Sequence, residues 1–175
     1  MRDSGAEQRT AAGVLGWSGT VVPRMKLLGV RPDVVVRVDH AAHARRLATG
    51  DAPVLDRDVL ATWEWPESVR APEVVRLVGA LGTGTHWRRA LGDAVRLSGF
   101  CPVAIVGVDD ERCRLECAYA GVGLVADGRL VVPTSGGRAV GARRRTLDRW
   151  VEESVYQRLI ADGVLESVAR PSATR

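Results

Sequence analysis

Between Val34 and Val38 the chain reads Val-Val-Val-Arg-Val, a β-branched run that predicts a strand. A similar run over Lys26–Val30 precedes it, and Arg31-Pro32-Asp33 supplies the turn between them. Asp39 is a good N-cap, so a helix is expected from there to Thr49, ended by Gly50. Apolar residues at Val54, Leu55, Val59 and Leu60, then Trp63 and Trp65, continue a helical pattern until Pro66. Pro72-Glu73 suits a helix start, yet Val74, Val75, Leu77 and Val78 are continuous enough for a buried strand as well. Gly79 to Gly84 breaks that run. Thr85 then caps a helix over Trp87–Leu97, with Leu91, Ala94 and Val95 on one face.

The second half is richer in strand signals. Val103–Val108 is apolar, Asp109-Asp110-Glu111 turns the chain, and a long strand is expected over Arg112–Ala126, bulged near Gly121 or Gly123. Asp127-Gly128 is the strongest hairpin signal, leading into Arg129–Val132 and a stop at Pro133. After the loop Thr134–Gly141, a helix is expected over Arg144–Ala161, with Leu147, Trp150, Val151, Val155 and Leu159 at helical spacing. Gly13–Val22 reads as a short interrupted strand. These elements predict an α/β (α+β) fold, an antiparallel β-meander packed against amphipathic helices. It would form one domain over 13–166, with flexible segments at 1–12 and 167–175.

Composition narrows the classes. Hydrophobic residues at 46% and charged residues at 26% are globular values, and 175 residues suffice for one proper core. With one lysine among 25 basic residues and abundant Ala, Val and Gly, the bias is that of high-GC coding. The arginines are spread along the chain and offset by 21 acids, which is not the one-faced footprint of a nucleic-acid binder. No apolar run reaches the ~20 residues of a membrane span, and the polar N-terminus has no apolar signal core. Three cysteines without framework spacing suit a reducing compartment, so a cytoplasmic location is expected.

Candidate chemistry centres on the loop before the last helix. Gly136, Gly137 and Gly141 let backbone amides approach a ligand, and Arg143, Arg144 and Arg145 add cations where the first helical N–H groups are unsatisfied. A small anionic metabolite would suit that joint; so would open solvent, since glycine-rich turns are common. Glu116 stands out as a carboxylate within an apolar strand, either facing solvent or buried with a partner. Cys113 and Cys117 would share a metal only on a helix; on a strand they lie ~13 Å apart and read as small hydrophobes. His40 and His43 share a helix without a fuller ligand set.

The run LECAYAGVGLVADGRLVVP followed by AVGARRRTL gives a further expectation. From about Thr85 to Leu147 this order resembles the class IV pyridoxal-phosphate fold of branched-chain and D-amino-acid aminotransferases and aminodeoxychorismate lyase. The resemblance implies that Glu116 stands where the family contacts the pyridine nitrogen. It also implies a phosphate joint at Gly141, Ala142 and Arg143, with a helix from Arg144. The family's Schiff-base lysine would fall near Gly82–Thr85, where none stands, and Lys26 is the only lysine in the chain. Pyridoxal phosphate is therefore expected only without a lysine aldimine, and lysine-dependent transamination is excluded. The reading is an enzyme or enzyme-derived protein that holds a phosphate- or carboxylate-bearing metabolite, with Glu116 as anchor or acid–base group. The alternative is a non-catalytic accessory module that meets a protein partner or a second copy, because five tryptophans against one phenylalanine favour an interface.

Overall fold

A computed structural model describes residues 4–65, 68–84, 86–135 and 146–166. Its elements in chain order are α1 (Ser4–Val14), β1 (Thr20–Val22), β2 (Asp33–Val38), α2 (His40–Thr49) and α3 (Arg57–Thr62). They continue with β3 (Val75–Thr83), α4 (Trp87–Val95), β4 (Val103–Val106), α5 (Glu111–Ala120), β5 (Gly123–Ala126), β6 (Arg129–Val132) and α6 (Thr146–Ala161). The chain groups into two units. One draws on the stretches Met1–Arg37 and Leu77–Ala142, the other on Val38–Arg76 and Arg143–Arg175.

The first unit is organised on a six-stranded sheet in the order β1-β2-β3-β4-β5-β6. The α/β class stands, but the antiparallel meander is corrected. β3, β4 and β5 are parallel to one another, while β1–β2 and β5–β6 pair antiparallel. Parallel neighbours need crossovers, and α4 and α5 supply them. The registers Leu81↔Ala104 and Ala104↔Gly123 set one face, and Gly82↔Ile105 and Ile105↔Leu124 set the other. Ala11 and Ala12 of α1 pack with Val35, Leu81, Ala104 and Val125 on the first face. On the second, a Cβ at Gly82 would sit 2.7 Å from the Ala90 carbonyl oxygen of α4. The sheet is thus covered on both sides.

Several local expectations change for physical reasons. Residues 4–12 are helical, not frayed: α1 buries Ala11 and Ala12, residues too small to announce a face in the sequence. The expected strand over Gly13–Val22 shrinks to β1. Lys26–Val30 is a tight loop closed by a Leu27↔Val30 bridge, with Leu28 and Gly29 at φ 49 and 83. Residues after Pro72 extend into β3 because this strand is covered on both faces and its apolar run has no period. The largest correction is Arg112–Ala126. Asp110 caps α5 by accepting a hydrogen bond from the Cys113 amide at 3.0 Å, and Gly121 ends it at φ 69. Only Gly123–Ala126 remains strand. The Asp127-Gly128 turn into β6 is found as expected, with Asp127 at φ 48 and Gly128 at φ 71. The expected cap at Thr85 lies outside the described residues, as does the segment 167–175.

In the second unit, α2 begins at its Asp39 cap, which accepts from the Ala42 amide at 2.8 Å, and ends at Gly50 in the left-handed region. α3 is capped by Asp56. α6 buries Val151, Val155, Tyr156 and Leu159. Among the described residues no helix is long and apolar enough to cross a membrane.

Candidate functional site

The first unit carries an open groove of about 360 Å³ between α4 and α5. Leu91 and Val95 come from α4, and Leu115, Glu116, Tyr119 and Ala120 from α5. Both helices bridge parallel strands, so they run side by side in the same direction. α5 is two-sided. Cys113 and Cys117, four apart, are fully buried against the sheet side, while Leu115 and Tyr119, also four apart, turn outward. Leu115 is 65% exposed and Tyr119 97%, and Val95 beside them is 44% exposed. A tyrosine held at that exposure on an ordered helix is an apolar body with a polar tip, presented to whatever comes next.

The first turns of both helices carry arginines. Arg88 in the first turn of α4 stacks 4.7 Å over the Trp87 ring and makes no ion pair among the described residues. Arg112 in the first turn of α5 donates from Nε to Glu116 at 3.1 Å. Outside the groove, Arg114 bonds Asp109, and that guanidinium holds the Asp109 carboxyl below the usual carboxylate range.

Of the residues singled out in the sequence, Glu116 is therefore moved. It lies on a helix at the rim of this groove, half-exposed and engaged with Arg112, not within a strand. Gly136, Gly137, Gly141, Arg143 and Arg144, with Arg145, lie outside the described residues, so the anion joint has no geometry to report. Cys113 and Cys117 do share a helix face, contrary to the strand reading, with their sulfurs 4.0 Å apart. Even so, no group of three or more His, Cys, Asp and Glu side chains among the described residues could hold a metal ion. Burial pushes the Cys113 thiol up, and burial followed by the Cys113 charge pushes Cys117 up to about 12. An ordinary cysteine ionises near 8.5, so both remain thiols at neutral pH and neither is an activated nucleophile.

That gives a direct expectation. Iodoacetamide at pH 8 should label Cys117 in the folded chain about a thousandfold more slowly than in denaturant, where the thiol regains its ordinary pKa. The sign carries over to stability. A thiol raised in the folded state favours folding below the unfolded value and loses that contribution as pH climbs toward 12, so stability should decline from about pH 8.5 upward. Rapid native-state labelling would mean that Cys117 is reached by solvent.

The second unit holds a cluster that sequence reasoning missed. Arg46 of α2 is fully buried and grips Glu153 of α6 with both terminal nitrogens, at 2.9 and 2.6 Å, while its Nε donates to the Pro72 carbonyl at 2.8 Å. Glu153 also accepts from the Val54 amide at 3.0 Å and from Arg149 at 3.5 Å. Arg149 adds a 2.9 Å pair with Glu73 and lies 5.1 Å from the Trp63 ring centre. Beside them, the Tyr156 hydroxyl lies 2.9 Å from His43 Nδ1. Burial pushes the Tyr156 hydroxyl up, so it stays protonated and is in place to donate. In the sequence these are charged residues on two helices far apart in the chain, Arg46 on one and Arg149 and Glu153 on the other, with nothing local to join them. The cluster ties α2, α6 and the Pro72 segment together. His40, one turn from His43, is exposed, so the two histidines do not converge.

No family model matches this chain, and neither a curated protein nor a solved structure was found to be similar to it.

Proposed function

We propose that this chain is a non-catalytic protein-interaction module whose contact surface is the α4–α5 face. The observation that carries this reading is the pairing of Leu115 and Tyr119, exposed at 65% and 97%, along one wall of an apolar groove. Isolated surface apolar residues need no explanation, but a contiguous set around a concavity is the usual mark of a contact site. A groove between two parallel helices suits an amphipathic helix, which enters with apolar residues three or four apart. Arg88, one turn before Leu91 on α4 and without an ion pair among the described residues, favours an acidic residue on the incoming helix. Glu116 is here a rim residue that steers.

The test is a selection of helical peptides from a random display library on the immobilised chain. Enriched peptides should carry apolar residues at helical spacing beside Asp or Glu. Leu115→Asp should weaken them by roughly tenfold or more, the loss typical of one central contact residue. Because Leu115 faces solvent, that variant should keep its far-ultraviolet dichroism. A failure to enrich, or enrichment indifferent to Leu115→Asp, would overturn the proposal.

A further inference from the structure

We infer that the occupant of the α4–α5 groove is a second copy of this chain, with the two α5 helices antiparallel about a twofold axis. This rests on the reading of that face as a contact surface and names its partner. The groove calls for a helix with exposed apolar residues at helical spacing next to an acid. α5 is such a helix: Leu115 and Tyr119 turn outward on either side of Glu116. The same surface is therefore both receptor and ligand, the requirement for a closed, isologous pair.

Charge selects the orientation. Arg112 lies one turn before Glu116 on the same flank. Two antiparallel α5 helices reverse that order, so each Arg112 meets the Glu116 and the negative carbonyl end of the other helix. A parallel pair would set Arg112 against Arg112 and align the helix dipoles. Exchanging partners sacrifices little, because the internal Arg112–Glu116 pair is solvent-exposed and such pairs are weakly held. With Arg112 set opposite Glu116 of the other copy, the axis passes level with Arg114, so Leu115 lies close to the centre, Tyr119 reaches over the first turn of the other helix, and Arg112 borders the apolar contact, the usual arrangement of an apolar core within a polar border.

Sedimentation velocity over a range of micromolar concentrations tests this. The chain should sediment as a dimer, and Leu115→Asp or Tyr119→Asp should sediment as a monomer with unchanged dichroism. Arg112→Glu and Glu116→Arg should each dissociate alone, facing acid with acid or base with base, by roughly tenfold or more in Kd. Mixed in equal amounts, the two variants should pair, since every contact becomes opposite in sign. A monomeric parent chain, a dimer indifferent to Leu115→Asp, or charge variants that fail to pair would each overturn the second-copy assignment. A monomer that still selects Leu115-dependent helical peptides would overturn this inference and leave the interaction reading standing. The absence of such peptides would count against that reading itself.

Discussion

Glu153→Ala is expected to be the most damaging single substitution in the second unit, lowering unfolding free energy by about 3–5 kcal/mol. Three donors converge on this carboxylate: the Arg46 guanidinium, the Val54 amide and Arg149. Truncation removes the acceptor but leaves Arg46, which has no exposed surface, with only the Pro72 carbonyl and the face of the Tyr156 ring, 5.1 Å away, to balance its charge. The cost is the solvation that a buried cation can no longer recover, more than the attraction it loses. Urea unfolding followed by dichroism gives the number. The double variant Arg46→Met with Glu153→Leu should recover much of it, since both charges leave the interior together. A loss below about 1 kcal/mol for Glu153→Ala would place the pair in the class of solvent-screened bridges.

The second large effect is expected at Gly82. Valine favours strands in general, yet here the new Cβ would lie 2.7 Å from the Ala90 carbonyl oxygen and 3.1 Å from Ile105 Cγ2. The first neighbour is backbone and can yield only if α4 moves off the sheet. Gly82→Val should cost about 1–3 kcal/mol by overpacking. It should also weaken binding at the groove, because Leu91 and Val95 ride on the displaced helix. An unchanged melting temperature together with unchanged groove binding would show that α4 is not seated as closely as described.

How far the fold could be read in advance varied with the physics of each element. α2 was legible because its cap and its terminal glycine both act locally. The β5–β6 hairpin was legible because Asp-Gly specifies its turn without outside help. α5 was not, and the reason is informative. A helix with one apolar face shows a period near 3.6, but α5 has two: Cys113 and Cys117 inward, Leu115 and Tyr119 outward. Offset by two residues, these pairs interleave into the alternation of a strand. The misreading was thus caused by the same outward residues that mark the contact surface. The cluster around Arg46 was hidden for the opposite reason. Its members lie up to 107 residues apart and are of types that normally face water, so no local pattern joins them. Of the proposed anion site, only Glu116 falls among the described residues, and its helix sets it at a rim.

The division of the chain into interleaved stretches bears on the order of assembly. The first unit draws on residues up to Ala142, whereas the second must join Val38–Arg76 to a stretch that starts at Arg143. During synthesis from the ribosome, Arg46 therefore emerges a hundred residues ahead of the carboxylate that will receive it. α2 has to wait, hydrated and unlatched, until α6 has been made. Chains interrupted before that last helix should be recognisable by their protease-sensitive 38–76 region, a built-in mark that translation did not finish.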